Sequence, residues 1–233
     1  MARSRRPASA SSEFLIVRGR HPISACRARR HNSPRRRAQA AATRLRIIEA
    51  AHAEFETRGY EGTRIEDVAA RAGVAVPTVY KSFTNKRNLL TAAVTTAMTG
   101  GPGGPVDRQA WFKEQLDAPT AGQQLQLIAR NARRLNERAA HLLELVRTTA
   151  ARDSEIATLW RDINNERLTR ARTSAQRLAA KTTLRTSVPE AAHTLWALTV
   201  PELYVLHVTE SGRRPDTYQR WLADVLTATL LAH

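Results

Sequence analysis

Apolar residues recur every three or four positions from Thr43 to the end of the chain, and no stretch alternates apolar and polar residues as a half-buried strand does. A first helix is predicted from about Thr43 to Arg58, because its apolar positions fall on one face: Ile47, Ile48, Ala51 and Phe55. Gly59 is placed to end this helix, since glycine adopts the left-handed backbone of a helix end without strain. The pattern predicts an all-α fold.

Two short helices are predicted after this first one. Thr63 and Glu66 have the spacing of a capping box, in which the hydroxyl and the carboxylate bond the free N–H groups of a new helix. This second helix ends at Gly73, after little more than two turns. A third helix follows a tight turn, with Pro77 in its first turn, where the missing N–H is harmless. Helices this short need support from the rest of the fold.

The third helix has an apolar side and an exposed side. Val79 and Phe83 are four residues apart and can face inward together. The outer side then presents Val76, Pro77, Thr78, Lys81 and Ser82, with Tyr80 at the edge. Thr84 or Asn85 is predicted to cap a fourth helix, which runs to about Met98.

The rest of the chain is predicted to be a helical domain. Glycines and prolines at positions 100–105 predict a linker, without the Gly-Lys-Ser/Thr of a phosphate-binding loop. The 189–209 helix is apolar on nearly every side, which predicts burial in a core or against a second subunit. Pro201 inside this helix lacks an N–H and should kink it. The amphipathic helices predicted after the linker are 121–136, 138–151, 154–181, 189–209 and 215–232.

Residues 1–42 differ in composition from the helical region. They are rich in Arg, Ser, Ala, Pro and His and have little aliphatic periodicity. Eleven arginines against one acid, Glu13, give this segment +10 of the chain's formal charge of +16. We predict a disordered arm. Two explanations stay open, namely a start codon assigned too far upstream and an arm that contacts DNA phosphates without sequence preference.

The composition also limits the possible functions. No apolar run is long enough to cross a membrane or to act as a signal-peptide core, so we expect a cytoplasmic protein. The single cysteine, Cys26, cannot form an intramolecular disulfide. Glu190 and His193 have the spacing of a di-iron helix, but the second such motif that this site needs is absent. We therefore expect no enzyme, no catalytic residues, no metal and no cofactor.

Two short helices joined by a tight glycine-containing turn are typical of a helix-turn-helix, whose second helix enters the DNA major groove. The segment 46–90 contains, in order, Arg46-Ile47-Ile48-Glu49-Ala50-Ala51, Phe55, Gly59-Tyr60, Thr63, Glu66-Asp67-Val68-Ala69, Ala72-Gly73-Val74, Pro77-Thr78-Val79-Tyr80, Phe83, Asn85-Lys86 and Leu89-Leu90. In these residues and their spacing the chain resembles the N-terminal DNA-binding domain of the tetracycline-repressor (TetR/AcrR) family of bacterial transcription regulators.

The resemblance implies a helix-turn-helix DNA-binding domain at 43–90 and an effector-binding and dimerisation domain at 91–233. It implies a ligand-responsive transcriptional regulator, usually a repressor, that binds a palindromic operator in double-stranded DNA. The homodimer would form through the 189–209 and 215–232 helices, and an unknown small-molecule effector would release the DNA. The alternative is a non-specific architectural DNA-binding protein driven by the basic arm.

The resemblance also assigns roles to individual residues. Contacts to bases are implied for Val76, Pro77 and Thr78, since the Thr hydroxyl and the Pro edge can meet a base edge and a thymine methyl. Contacts that are mainly to phosphate are implied for Thr63, Arg64, Tyr80, Lys81 and Lys86. Structural alternatives stay open for these residues: a helix cap for Thr63, a core position for Tyr80, and plain solvated charges for the basic residues.

Four aromatic residues of the C-terminal half could line an effector pocket. These residues are Trp111, Trp160, Trp196 and Tyr204. Aromatic residues at helical spacing also occur as ordinary core residues, and this alternative stays open for each of the four.

Overall fold

The computed structural model describes residues 34–101 and 104–232, and helices make up most of both ranges. The described residues contain no strand beyond one isolated bridge between Leu184 and Leu231, which confirms the all-α prediction. A short 3-10 turn spans Val106–Arg108, and a π-helical segment spans Val205–Glu210. The α-helices are α1 (Pro34–Gly62), α2 (Ile65–Ala72), α3 (Val76–Phe83), α4 (Lys86–Thr99), α5 (Ala110–Leu116), α6 (Ala121–Ala150), α7 (Ser154–Ala179), α8 (Val188–Leu198), α9 (Pro201–Tyr204) and α10 (Pro215–Leu230).

The first helix begins earlier than the sequence pattern predicted. It starts at Pro34, so residues 34–42, which we had assigned to a disordered arm, are helical and exposed. Arg, Ala and Gln in this stretch all have high helix propensity, and proline is favoured at the first helical position. The helix needs no apolar periodicity here, because it extends a segment already held by tertiary packing. The remainder of the predicted arm, residues 1–33, lies outside the described residues.

Gly59 ends the helical part of α1, as predicted. Its backbone has φ 69° and ψ −179°, a conformation that only glycine adopts at low cost. The predicted capping box is wrong, however. The residue that caps α2 is Arg64, without a side-chain bond, and the Thr63 hydroxyl instead donates to the Gly59 carbonyl at 2.7 Å. The sharp turn at Gly59 places that carbonyl within reach of Thr63.

The ends of the next two helices follow the sequence pattern. Gly73 adopts φ 64° after α2, and its N–H donates to the carbonyl of Ala70, as in a left-handed helix end. Asn85 caps α4, because its side chain accepts the backbone N–H of Asn88 at 2.8 Å. Helix α4 then runs out of the three-helix domain formed by α1, α2 and α3 and ends at Gly100.

The helices from α5 to α10, called the body below, differ from the predicted elements in three places. Helix α6 is continuous, whereas we predicted separate helices at 121–136 and 138–151; no Gly or Pro stands at the expected junction to break it. Helix α5 and the 3-10 turn before it lie in a stretch for which we predicted no helix. Two buried side chains of these segments, Val106 and Phe112, hold them against the larger helices.

The predicted 189–209 helix is broken at Pro201 and not merely kinked. Helix α8 ends at Leu198, Val200 is extended with ψ 142°, and Pro201 is the first residue of α9. A residue before proline is pushed out of the helical region, so the break falls where the sequence requires it. The all-round burial predicted for this segment is not reached within one chain, because Leu206 is 52% exposed.

Two clusters of buried apolar side chains hold the molecule together. The first is continuous from the three-helix domain through α4 to α6 and α7, and the second joins α6, α7, α8 and α10. Helix α4 crosses the domain boundary that we predicted at residue 90, and both Leu89 and Val94 lie in the first cluster. The N-terminal domain and the body therefore share a core along α4.

Candidate functional site

Helix α3 presents most of the residues expected to contact DNA. Pro77, Tyr80 and Lys81 are exposed, and Tyr80 has 49% of its surface in solvent. Thr78 is half-buried, and no hydrogen bond to its hydroxyl is found among the described residues. Val76 packs partly against the core, so only part of this side chain remains for a contact to a base. The exposed face combines a hydroxyl, apolar edges, a phenol and an ammonium group.

The opposite face of α3 fixes the helix to its domain. Val79 and Phe83 are 1% and 3% exposed and belong to the first apolar cluster. Arg44 of α1 lies over the Phe83 ring, with its guanidinium carbon 4.0 Å from the ring centre. The same guanidinium donates to the Ser82 carbonyl at 2.6 Å. This arginine, which the sequence analysis did not single out, secures the C-terminal end of α3.

A network of charges joins α1 to α2. Glu54 is 3% exposed, and its carboxylate accepts a hydrogen bond from Arg71 at 2.7 Å and lies 3.2 Å from the Arg58 guanidinium. Arg58 also pairs with Asp67 of α2. A buried carboxylate is tolerated when it is paired in this way. These contacts therefore hold α2 against α1.

The two residues before α2 differ in exposure, and only Thr63 has surroundings that do not suit the predicted phosphate contact. Thr63 is only 2% exposed, and its hydroxyl is used by the Gly59 carbonyl, so it offers almost no surface to a phosphate. Arg64 is exposed beside the first turn of α2 and can reach a phosphate. The burial of Thr63 could not be read from the sequence, because it depends on the backbone turn at Gly59.

Lys86 is directed into the domain. Its ammonium donates to the carbonyls of Tyr60 at 2.7 Å, Thr63 at 3.2 Å and Glu61 at 3.4 Å, and lies 4.6 Å from the centre of the Tyr60 ring. An ammonium has three N–H groups, so these carbonyls can use all of its donors. Burial lowers the pKa of Lys86, an effect that Glu61 partly offsets. A phosphate contact by this side chain would require it to leave these partners.

A cavity of about 100 Å³ lies in the body, between α4, α5, α6, α7 and α8. Its apolar wall is made by one residue of α4 and several of the helices around it: Met98, Val106, Trp111, Phe112, Ile128, Ala132, Leu135, Leu143, Ala171 and Leu195. An apolar cavity with a few convergent polar groups is typical of a small-molecule site.

The polar side of this cavity contains buried amides and a hydroxyl. Asn131 donates to the side-chain carbonyl of Gln115 at 3.1 Å, and Gln115 donates to the Ser174 hydroxyl at 3.2 Å. All three residues are at most 6% exposed. Asn136 also lines the cavity and is 2% exposed. These bonds hold α5, α6 and α7 together around the cavity.

Two arginines of α7 complete the lining. Arg167 donates to the Asn164 side-chain oxygen at 2.9 Å and to the Trp196 carbonyl at 3.1 Å. Arg170 lies 3.4 Å from the Glu166 carboxylate and is 13% exposed. Burial lowers the pKa of Arg167 to about 10, although the negative charge of Glu202 opposes the shift. Burial also lowers the pKa of Arg170, an effect that Glu166 partly offsets.

Only one of the four aromatic residues predicted to line a pocket does so. Trp111 lies in the cavity wall, whereas Trp160, Trp196 and Tyr204 are not among the lining residues. Tyr204 packs edge-on against Tyr218, with ring centres 5.3 Å apart, so it is a core residue. Trp196 lies beside Arg167, which is 5.8 Å from its ring centre. The aromatic residues of the sequence therefore predicted the lining of the cavity poorly.

A better signal was present in α7. Ile163, Arg167, Arg170, Ala171 and Ser174 fall on one face of this helix, and Ile163, Ala171 and Ser174 are buried. Charged residues within an apolar stripe are rarely solvated, because the stripe faces the core. The two arginines could have been recognised from this position.

Helix α4 links the cavity to the three-helix domain formed by α1, α2 and α3. Met98 near its C-terminal end lines the cavity, and Lys86 at its N-terminal end bonds the turn after α1. Arg138 of α6 donates to the carbonyls of Ala97 at 3.0 Å and of Met98 at 3.3 Å, which secures the last turn of α4 to the body. Any change in the cavity that moves Met98 also acts on the helix that carries Lys86.

The described ranges contain no cluster of three or more His, Cys, Asp or Glu residues able to hold a metal ion. No helix within the same ranges has the length and apolar character required to cross a membrane.

Comparison with known proteins agrees with this architecture. Residues 47–93 match the family described as bacterial regulatory proteins, tetR family. An HTH-type transcriptional repressor of Streptomyces coelicolor is 34% identical over 88 residues, which are 36% of this chain and 46% of that protein. The match thus spans about half the length of this curated relative.

Solved structures extend the likeness to the body. A putative TetR-family transcriptional regulator from Mesorhizobium loti has a TM-score of 0.59 at 23% identity, over 83% of this chain and 99% of that chain. A putative transcriptional regulator from Saccharomonospora viridis, solved in complex with choline, has a TM-score of 0.63 at 21% identity, over 82% and 99%. Residues 47–93 therefore carry a DNA-binding domain of the tetR family, and the chain as a whole shares the fold of these solved regulators.

Proposed function

We propose that the protein is a ligand-responsive transcriptional repressor that binds a palindromic operator as a homodimer. The observation that carries this proposal is the exposed face of α3, in which Thr78, Tyr80 and Lys81 project from a helix anchored by Val79 and Phe83. A recognition helix in each subunit would enter the major groove of one half-site. Successive half-sites on one side of the duplex lie about 34–36 Å apart.

Base contacts are proposed for Pro77, Thr78 and the exposed part of Val76. Phosphate contacts are proposed for Arg64, Tyr80 and Lys81, which are exposed around the same face. The side chain of Lys86 bonds carbonyls inside the domain, so a phosphate contact at this position is proposed for its backbone N–H, at the start of α4.

The dimer is proposed to form through α8, α9, the π-helical segment and α10. These elements keep apolar side chains that the chain itself covers only in part, namely Trp196, Leu203, Val205, Val208 and Trp221. Leu206 in the same region is 52% exposed. Apolar side chains left partly exposed on neighbouring helices are typical of a subunit interface.

Release of DNA is proposed to follow from occupancy of the cavity. A ligand against Met98 would displace the C-terminal end of α4, and Lys86 would transmit the displacement to the turn between α1 and α2. In a dimer this changes the separation of the two recognition helices. Effector and operator would then weaken each other's binding by the same factor.

Neither catalysis nor a cofactor is part of this proposal, and we assign the protein to the cytoplasm. The second candidate function is non-specific DNA binding through the basic N-terminal segment. It is favoured by the exposed Arg35, Arg36 and Arg37 at the start of α1, which add to the arginines of residues 1–33. Such binding would depend strongly on salt and would not discriminate between sequences.

Footprinting of the intergenic DNA around the protein's own gene tests the proposal. We expect one protected inverted repeat, and an affinity for it at least about a thousandfold higher than for random duplex at the same salt concentration. Equal affinity for random duplex, with no protected repeat, would favour the non-specific alternative.

A further inference from the structure

Two arginines bring positive charge to the cavity in the body. The carboxylate of Glu202 opposes the pKa shift of Arg167 but forms no ion pair with it, and lies 3.7 Å from Arg147 instead. Among the described residues, no carboxylate lies within ion-pair distance of the Arg167 guanidinium, whose hydrogen-bond partners Asn164 and Trp196 supply neutral oxygens. Arg170 has one carboxylate partner, Glu166, which is 69% exposed and lies 3.4 Å away. A buried cation without an adjacent anion is costly, so this arrangement favours an anion in the cavity.

The two arginines also retain hydrogen-bonding capacity. Each guanidinium has five N–H groups. Described residues engage two of these groups in Arg167 and one in Arg170. Both side chains line the same cavity and are one helical turn apart on α7. Guanidinium groups in this relation suit the paired oxygens of a carboxylate.

The remainder of the cavity does not suit a strongly polar ligand. Its wall is mainly aliphatic and aromatic, with Trp111, Phe112 and Leu195 among the large side chains. The amides of Gln115 and Asn131 are largely occupied with each other and with Ser174. The volume of about 100 Å³ is of the same order as a protein cavity that holds a benzene ring, which is about 150 Å³.

We propose that the ligand of this cavity is a small organic acid, whose carboxylate pairs with Arg167 and Arg170 and whose apolar body has about the size of one aromatic ring. That this ligand is the effector rests on the function proposed above, whereas its binding to the cavity does not. The choline of the Saccharomonospora viridis regulator belongs to that protein. A quaternary ammonium would be repelled by the two arginines of this chain.

Calorimetric titration of the full chain, without DNA, separates these chemistries. The probes are benzoate, phenylacetate, benzamide and choline. Benzoate and benzamide have nearly the same shape and differ in charge, so the ratio of their affinities measures the preference for an anion. We expect benzoate to bind, benzamide to bind at least about tenfold more weakly than benzoate, and choline not to bind.

Variants identify the residues responsible. Arg167→Gln and Arg170→Gln should each weaken acid binding by about tenfold or more, because each removes a charged partner of the carboxylate. Arg172→Gln is the matched control, since Arg172 is exposed on the same helix and should leave the affinity unchanged. Should Arg167→Gln fail to fold, as judged by circular dichroism, the preference of the wild-type protein for benzoate over benzamide still decides the question.

Three results would overturn the inference. These are equal binding of benzamide and benzoate, binding of choline, and no binding of either acid at millimolar concentration. Failure of the regulatory proposal is distinguishable from these results. If an acid binds but does not change the affinity for a mapped operator, the acid site stands and its role as an effector site is refuted.

Discussion

The ammonium of Lys86 donates to the carbonyl of Tyr60 at 2.7 Å, across 26 positions of the sequence. The same ammonium reaches the carbonyls of Glu61 and Thr63, so one side chain from the start of α4 closes the turn that leads into α2. Lys86 thus bonds carbonyls at the end of α1, as a capping side chain does, although it belongs to α4. Helix α3 lies, along the chain, between the two segments that this lysine joins.

Replacement of this lysine should destabilise the DNA-binding domain. In Lys86→Met the three carbonyls lose their donor, and we expect a loss of about 1–3 kcal/mol in the free energy of unfolding. For a chain of this size, the melting temperature should fall by about 2–4 °C for each kcal/mol. Lys81→Met is the control, because Lys81 is exposed and should leave the melting temperature unchanged. Equal melting temperatures for Lys86→Met and wild type would refute the structural role.

Substitutions on α3 should separate sequence preference from general affinity. Thr78→Ala removes the hydroxyl that we propose contacts a base edge, so the order of preferred bases in a randomised half-site should change, with a loss of about 1–3 kcal/mol at one position. Lys81→Ala removes the ammonium that we propose neutralises a phosphate. All sequences should then bind more weakly, and the slope of log K against log salt should fall by about 0.9 for each phosphate that is no longer neutralised. Binding selection on randomised duplexes, followed by salt titration, measures both quantities. Unchanged base preference in Thr78→Ala, or changed preference in Lys81→Ala, contradicts the assigned roles.

Two glycines provide a test of the turn after α1. Gly59 has φ 69° and ψ −179°, so Gly59→Ala forces a strained backbone and should cost about 1–3 kcal/mol. Gly122 lies in the first turn of α6, and an added Cβ there would meet nothing within 4 Å. Gly122→Ala should therefore leave stability unchanged or raise it by up to about 1 kcal/mol. Chemical unfolding of both variants gives the comparison, and a neutral Gly59→Ala would show that the turn can relax.

Local signals were sufficient for much of the fold. Gly59, Gly73 and Asn85 end or begin helices where the pattern indicated, because each acts through its own backbone or a neighbouring N–H. The break at Pro201 was predicted in position but underestimated in extent, since Val200 before it also leaves the helix.

Differences arose where the outcome depends on the turn after α1 or on distant residues. Thr63 has the spacing of a capping residue, but its hydroxyl donates to the Gly59 carbonyl and Arg64 takes the capping position of α2. The pattern around Lys86 likewise gave no sign that its ammonium donates to carbonyls of a segment more than 20 positions away. The cavity is formed by five helices, so its lining could not be derived from any single stretch, although the arginines on the buried face of α7 gave a partial indication.

The proposed dimer interface depends on apolar side chains that remain exposed in one chain. Leu206 is 52% exposed in the π-helical segment, and Leu206→Asp would place a charge in the interface. We expect this variant to be monomeric at micromolar concentration by light scattering and to lose operator affinity, because a single recognition helix reads only one half-site. Leu206→Met keeps the apolar character and should remain dimeric. A dimeric Leu206→Asp with normal DNA binding would place the interface elsewhere.

Arg138 should control how strongly the cavity and the DNA-binding domain are coupled. Its guanidinium secures the carbonyls of Ala97 and Met98, and Met98 lines the cavity while Arg138 does not. In Arg138→Met the end of α4 loses these two bonds, so a ligand can displace Met98 without moving the whole helix. Acid binding to the isolated protein should be retained, whereas the ratio of operator affinities without and with the acid should fall from the 5- to 150-fold typical of coupled sites toward about one. Arg134→Met on the exposed side of α6 should leave this ratio unchanged. An unchanged ratio in Arg138→Met would show that coupling does not pass through this end of α4.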